Sequence, residues 1–261
     1  MRIVFLTQDD PLYILPFFDE FCRQDLGEIE VLGIFSCKTM GDRSRLRLMR
    51  ELFCLYGAIG FSRLLLRVLA FKVLGTLPAG KNSRRYYSIA QICRAHGMKH
   101  GAIGNPNHEE YSSQIAALGP ELIVSVACPY ILKKKLLELS PMGCINVHHA
   151  PLPRYKGMMP TFWQMYHGEK RVGITIHTMA ARVDEGAALL QEELAIHEGE
   201  SLDSLIRRSK RHGAHCMLRV LRQIARQTTG KMDLAEQPGS YFTFPTVTEM
   251  KEFRRRGFRA I

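Results

Sequence analysis

Acid is scarce in one long basic stretch of the sequence. Between Asp42 and Lys99 the sequence carries twelve Lys or Arg residues against Asp42 and Glu51 alone, in a chain of formal charge +11. Such an excess bears on partners rather than on fold, and leaves nucleic acid, an anionic membrane surface, a phosphorylated substrate or a generally basic surface as readings. Low-complexity runs and repeats at solenoid periods are missing, which excludes an array. The longest apolar stretch, Leu52 to Gly75, is interrupted by Arg63, Arg67 and Lys72, which argues against a membrane span. Met1 to Leu6 is too short for a signal-peptide core and runs straight into Asp9-Asp10. Seven cysteines, an odd number with no C-x-x-C pair, speak against a disulfide framework or a structural zinc site. A reducing cytoplasm fits. Thr7-Gln8-Asp9-Asp10-Pro11 stands where a G-x-G-x-x-G turn would be, so a dinucleotide site is not expected, and no P-loop occurs. Without H-E-x-x-H or a cysteine cluster, metal catalysis is not expected either.

What is present alternates. Arg2 to Thr7 and Glu30 to Cys37 read as strands flanking a helix over Pro11 to Gly27, a βαβ unit that implies a parallel sheet. One or two helices rich in Leu, Phe and Arg follow from Asp42 to Gly75. Helices at Ser88 to Gly97, Glu109 to Leu118 and Lys133 to Leu139 then alternate with strands at Glu121 to Ala127 and Gly143 to His148. Two further strands, Gly168 to Met179 and Ala187 to Ile196, join through a turn at Val183 to Gly186. Thr161 to Gly168 reads as a helix packing its aromatics on the sheet. Ser201 to Gln227 is a long helix with Ser201 as N-cap and Asp203 in its first turn. The expected fold is α/β, an open, doubly wound, mostly parallel Rossmann-like sheet. Residues 1–227 form one domain with a basic, apolar helical insert at about 42–85, and 228–261 form a short extension.

Ligands in such sheets lie beyond the carboxyl ends of the strands, which puts the residues after Ala127 and after Asn146 at the mouth of a crevice. Strand alternation sets Asn146 and His148 on one face with Val147 opposite. Pro151 and Pro153 end the ladder there and fix the loop. A single histidine in an apolar strand is usually a hydrogen-bonded core residue. An amide and an imidazole side by side at a strand end, before a Pro-rich loop, favour chemistry.

Asn146-Val-His148, Leu152-Pro153-Arg154-Tyr155-Lys156-Gly157, Gly173-Ile-Thr-Ile-His177 and Val183-Asp184-Glu185-Gly186 together resemble the folate-dependent formyltransferase family. The resemblance covers about Glu121 to Gln191. His149-Ala150 departs from the small residue and Ser found in many members. The resemblance implies the formyltransferase fold, 10-formyltetrahydrofolate as co-substrate, and Asn146, His148 and Asp184 as the catalytic set. Transfer to an amine needs a proton removed from the nucleophile, a proton given to the leaving nitrogen, and stabilisation of a tetrahedral oxyanion. His148 would handle the proton or donate to the oxyanion, Asn146 would donate a neutral N–H, and Asp184 would pair with the imidazole and order a water. On residue type alone, Asp184 is an ordinary turn residue beside Gly186. The same resemblance places the pterin against Tyr130, Ile131 and Leu132 and the loop Ala181, Arg182, Val183. Substrate contacts fall to His149, Arg154 and Lys156.

Among the family's acceptors, the chain stops too soon after its long helix for a tRNA-binding barrel, and Gln8-Asp9-Asp10 replaces a Gly-rich phosphate loop. A hydrolase of the folate would need an additional N-terminal regulatory domain. Elimination leaves a small, phosphorylated amine substrate, an amino sugar on a nucleotide or lipid carrier, with nucleic acid not expected. A methionyl-tRNA-type transferase without its barrel is the alternative, as is a non-catalytic, membrane-peripheral module of the same fold. The apolar and basic segment from Arg43 to Lys72 must bury its apolar area against a second subunit, a membrane surface or part of the substrate. A cytoplasmic protein, peripheral at the inner membrane surface, accommodates the second of these.

Overall fold

The computed structural model describes residues 1–38, 45–180, 184, 186–232, 234 and 238–261. Its elements run β1 (Arg2–Gln8), α1 (Leu15–Arg23), β2 (Glu30–Cys37), α2 (Arg45–Leu74), α3 (Ile89–His96), β3 (Lys99–Ile103), α4 (Glu109–Ala116), β4 (Leu122–Val126) and α5 (Lys134–Leu137). They continue β5 (Cys144–His148), β6 (Lys156–Gly157), α6 (Pro160–Tyr166), β7 (Arg171–Thr178), β8 (Ala188–Ala195), α7 (Leu202–Ala225), β9 (Tyr241–Phe242) and α8 (Val247–Arg255). One seven-stranded sheet takes the order β3-β2-β1-β4-β5-β7-β8. Pairing is parallel from β3 to β5 and antiparallel from β5 through β7 to β8. The mostly parallel α/β architecture is therefore the one the sequence implies.

The central strands carry apolar residues on both faces because helices cover both. Ile3, Phe5, Leu122 and Val124 meet α1 and α7 on one side, while Val4, Leu6, Ile123 and Leu136 pack on the other. A further apolar cluster joins α2, α6 and α8 through Leu55, Leu64, Phe162 and Phe253.

Three local features differ from the sequence reading. Helix α1 starts at Leu15, because the Asp10 carboxylate accepts from the Leu12 and Tyr13 amides at 2.8 and 3.1 Å and holds the preceding residues in a turn. Its C-cap is Gln24 with extended backbone, not Gly27. Strand β3 pairs along the edge of β2, although Lys99-His-Gly-Ala-Ile103 has no apolar alternation to announce it. Helix α8 lies in the tail, opened by a capping box between Thr246 and Glu249. Ser201 does cap α7, accepting from the Ser204 amide. Asp203, read as a first-turn helix-dipole residue, is buried and paired with Arg67 of α2 and Arg207.

Helix α2 is two helical segments meeting at Gly57, whose φ of 68° interrupts the helix. A Cβ at Gly57 would also stand 2.8 Å from the Arg254 guanidinium. This settles the reading of one or two helices in favour of a kinked pair.

Candidate active site

The site forms where β5 ends beside β7. Antiparallel register sets Asn146 opposite His177 and His148 opposite Thr175. The Asn146 amide lies 3.1 Å from His177 Nε2. His177 Nδ1 donates to the Thr178 carbonyl at 2.9 Å, so in the neutral ring Nε2 accepts from Asn146. One amide N–H of Asn146 is thus committed to His177 and the second is left for another acceptor. His148 is 7% exposed, and its Nε2 donates to the Tyr155 carbonyl at 2.8 Å. A carbonyl can only accept, so in the neutral ring Nδ1 carries the lone pair.

That lone pair faces Asp184. Asp184 Oδ2 stands 3.6 Å from His148 Nδ1, and Oδ1 stands 3.6 Å from His177 Nε2. Both separations exceed a direct hydrogen bond, and a group set to one side of either pair can contact both of its atoms. The Gly157 amide donates to Asp184 Oδ2 at 3.1 Å, fixing the carboxylate from the far loop. Two backbone positions require what the sequence supplies. Asp184 has φ 53°, the left-handed region that Asp tolerates better than most residues. At Gly186 any Cβ would overlap the Thr178 carbonyl oxygen, 1.4 Å away. Burial pushes the His177 imidazole below its ordinary value, with the Asp184 charge opposing and the His148 charge adding to the depression. In the neutral ring His177 thus accepts from Asn146 and stands beside the Asp184 carboxylate without a direct hydrogen bond to it.

The structure thus brings Asn146, His148 and Asp184 together and adds His177, which the sequence reading left outside the catalytic set. Its signal was the alternation Gly173, Thr175, His177 along a strand pairing antiparallel with β5. Tyr130 is partly buried and Ile131 is 62% exposed, while Leu132 packs in the core with Leu136. Asn107 braces their loop, donating to the Ile131 carbonyl at 2.9 Å and accepting from the Lys133 amide at 2.7 Å. Ala181, Arg182 and Val183 lie outside the described residues. His149 is buried, its Nδ1 2.8 Å from the Ser209 hydroxyl of α7. Arg154 pairs with Glu169 at 3.0 Å, and Lys156 lies in β6, where its amide donates to the Ser240 carbonyl at 2.9 Å. Elsewhere, Glu192, His212 and Cys216 bring one ligand atom each within 4.8 Å of one another, a grouping of metal-ligand types drawn from β8 and α7. There Glu192 also pairs with Arg219.

An open sheet with a histidine and a carboxylate converging at a strand end defines a crevice enzyme of the α/β class. The formyl transferase family profile matches residues 83–221, more than half the chain, and the protein belongs to that family. A methionyl-tRNA formyltransferase of Syntrophus aciditrophicus (strain SB) is 45% identical over 105 residues, 40% of this chain and 34% of that protein. The aligned part is therefore about a third of that relative's length. A phosphoribosylglycinamide formyltransferase from Anaplasma phagocytophilum superposes with a TM-score of 0.59, at 15% identity, covering 94% of this chain and 99% of that one. An N-formyltransferase from Helicobacter canadensis, in complex with folinic acid and dTDP-3-aminofucose, gives 0.55 at 14% identity, covering 92% and 70%. These superpositions establish a shared fold.

Proposed function

We propose that this protein transfers the formyl group of 10-formyltetrahydrofolate to the primary amine of an amino sugar held on a nucleotide or lipid carrier. The arrangement of His148 Nδ1 and Asp184 Oδ2, separated by 3.6 Å, carries the reading. An attacking amine placed beside the pair, in contact with both atoms, can pass a proton to either while its nitrogen bonds to the formyl carbon. The uncommitted N–H of Asn146 stabilises the oxyanion that forms, and the proton then goes to the departing N10 as the C–N bond breaks. Tyr130, Ile131, Leu132 and the loop Ala181 to Val183 are the proposed pterin contacts, with His149, Arg154 and Lys156 assigned to the substrate side. No metal is required by this scheme.

The choice of acceptor is supported at the first crevice loop. The Leu12 and Tyr13 amides, donors that a phosphate loop would present, are taken by the Asp10 carboxylate. This disfavours a phosphoribosyl amine bound there. The amino sugar in the Helicobacter canadensis complex supports the same choice. The 45% identity to a methionyl-tRNA formyltransferase supports methionyl-tRNA as the second reading. Incubation with 10-formyltetrahydrofolate and either aminosugar nucleotides or methionyl-tRNA, followed by mass spectrometry, separates them. A product heavier by one formyl group is expected with the sugars. Formylation of methionyl-tRNA alone would replace that acceptor, and no product from either would remove the activity.

A further inference from the structure

The outward face of α2 is apolar and uncovered. Met49–Leu74 is long and apolar enough to cross a membrane, yet its other face belongs to the protein. Leu55, Tyr56, Leu64 and Phe71 are buried, Arg67 pairs with buried Asp203, and the Tyr56 hydroxyl meets that of Tyr13 at 2.5 Å. A helix tied down on one side cannot be surrounded by lipid. Ile59, Leu66, Leu69 and Val73 fall on one side at helical spacing and are 50–72% exposed, a stripe about 21 Å long at 1.5 Å per residue. Exposed apolar surface of this extent marks a partner.

Charge selects which partner. From Arg45 to Arg85 the chain has nine Lys or Arg residues and one acid, Glu51. Arg63 lies in the stripe between Ile59 and Leu66, and Lys72 lies at its edge; both are exposed and pair with no carboxylate among the described residues. Two copies meeting through this face would bring like charges together, whereas an anionic surface would neutralise them. We propose that α2 seats the protein in the plane of an anionic lipid bilayer, with Leu66 and Leu69 entering the acyl boundary and Arg63 and Lys72 reaching headgroup phosphates.

The test is co-sedimentation of the full chain with vesicles of phosphatidylglycerol and phosphatidylcholine, against phosphatidylcholine alone. Binding is expected only to the anionic vesicles, and added salt should reverse it. Leu66→Glu with Leu69→Glu, and separately Arg63→Glu with Lys72→Glu, should each lower the partition coefficient at least about tenfold with melting temperature unchanged. Formylation of a soluble amine by both variants, at wild-type rate, reports the proposed activity independently of docking. Protein left in the supernatant with every vesicle at low salt overturns the proposal. So does a dimer by light scattering that dissociates in the Leu66→Glu, Leu69→Glu variant and binds no vesicle.

Discussion

The end of β5 and the outer face of α2 invert the usual distribution of residues. At the first, two buried imidazoles face a partly buried amide and a partly buried carboxylate. At the second, leucine, isoleucine and valine side chains stand in solvent. Both arrangements cost folding free energy, since buried polar groups need partners and exposed apolar surface gains nothing from folding. The polar cluster meets its cost internally through backbone groups of Tyr155, Gly157 and Thr178. The helix face has no such internal partner among the described residues. One region finds polar partners within the chain, and the other leaves its apolar side chains in solvent.

The comparison breaks most sharply under substitution at the site. His148→Ala and Asp184→Asn should each lower turnover by about 10²- to 10⁴-fold, the usual contribution of a proton-transfer group. Melting temperature should change little, and near-wild-type turnover in both would remove these residues from the chemistry. Asp203→Ala tests the buried root of α2. It leaves the Arg67 and Arg207 charges without their carboxylate and should cost about 3–5 kcal/mol in urea unfolding. A loss below about 1 kcal/mol would mean that α2 is not anchored there. Burial pushes the Asp203 carboxyl up, but hydrogen bonds and charge from Arg67, with Arg207, hold it below the carboxylate range overall. Its pH-linked stabilisation is therefore full above about pH 4 and fades as pH falls through the depressed folded value.

Leu64 and Leu66 sharpen the contrast within one helix, at 6% and 67% exposure. Leu64→Ala should cost about 2–4 kcal/mol, and Leu66→Ala should stay within about 0.5 kcal/mol. Equal losses would show that the outward face is covered in the isolated protein. A pH-linked effect concerns His149 and His177. Burial pushes both imidazoles below their ordinary value, so as pH drops below about 6.5 the unfolded chain binds protons that the folded chain refuses. Stability should fall there, by up to about 1.4 kcal/mol per pH unit for each histidine. His149→Gln should flatten the slope, and an unchanged slope would exclude His149 as a source.

Period and motif made most of the scaffold legible. β2 spans the expected Glu30–Cys37, and Ser201 caps the long helix as its type and place imply. Asn146 and His148 were visible because alternation along a strand is local. His177 reaches them through an antiparallel pairing across 31 residues of sequence, and pairing partners carry no local mark. Strand β3 escaped for a related reason, since an edge strand needs only its neighbour's backbone and its own residues can remain polar. The tail helix was readable, with Thr246 and Glu249 in capping-box spacing before Met250 and Phe253, but the aromatic and glycine content of the segment masked it. The Arg67–Asp203 pair could not be read, because each residue alone looks like surface charge.

The pairing of β6 with β9 has a consequence in time. Lys156 and Gly157 pair with Tyr241 and Phe242, the Tyr155 amide donates to the Ser240 hydroxyl at 2.8 Å, and the Met158 amide donates to the Phe242 carbonyl at 2.8 Å. The Tyr155 carbonyl and Gly157 amide, which hold His148 and Asp184, therefore sit in a loop fastened by residues made some eighty-five positions later. A chain emerging from the ribosome carries every catalytic side chain by Asp184, yet the loop that aims them is not fastened until β9 has been synthesised. The whole chain with Ser240→Pro should show the defect, retaining a folded sheet by circular dichroism while losing turnover. Full turnover in that variant would mean that the loop holds its shape alone.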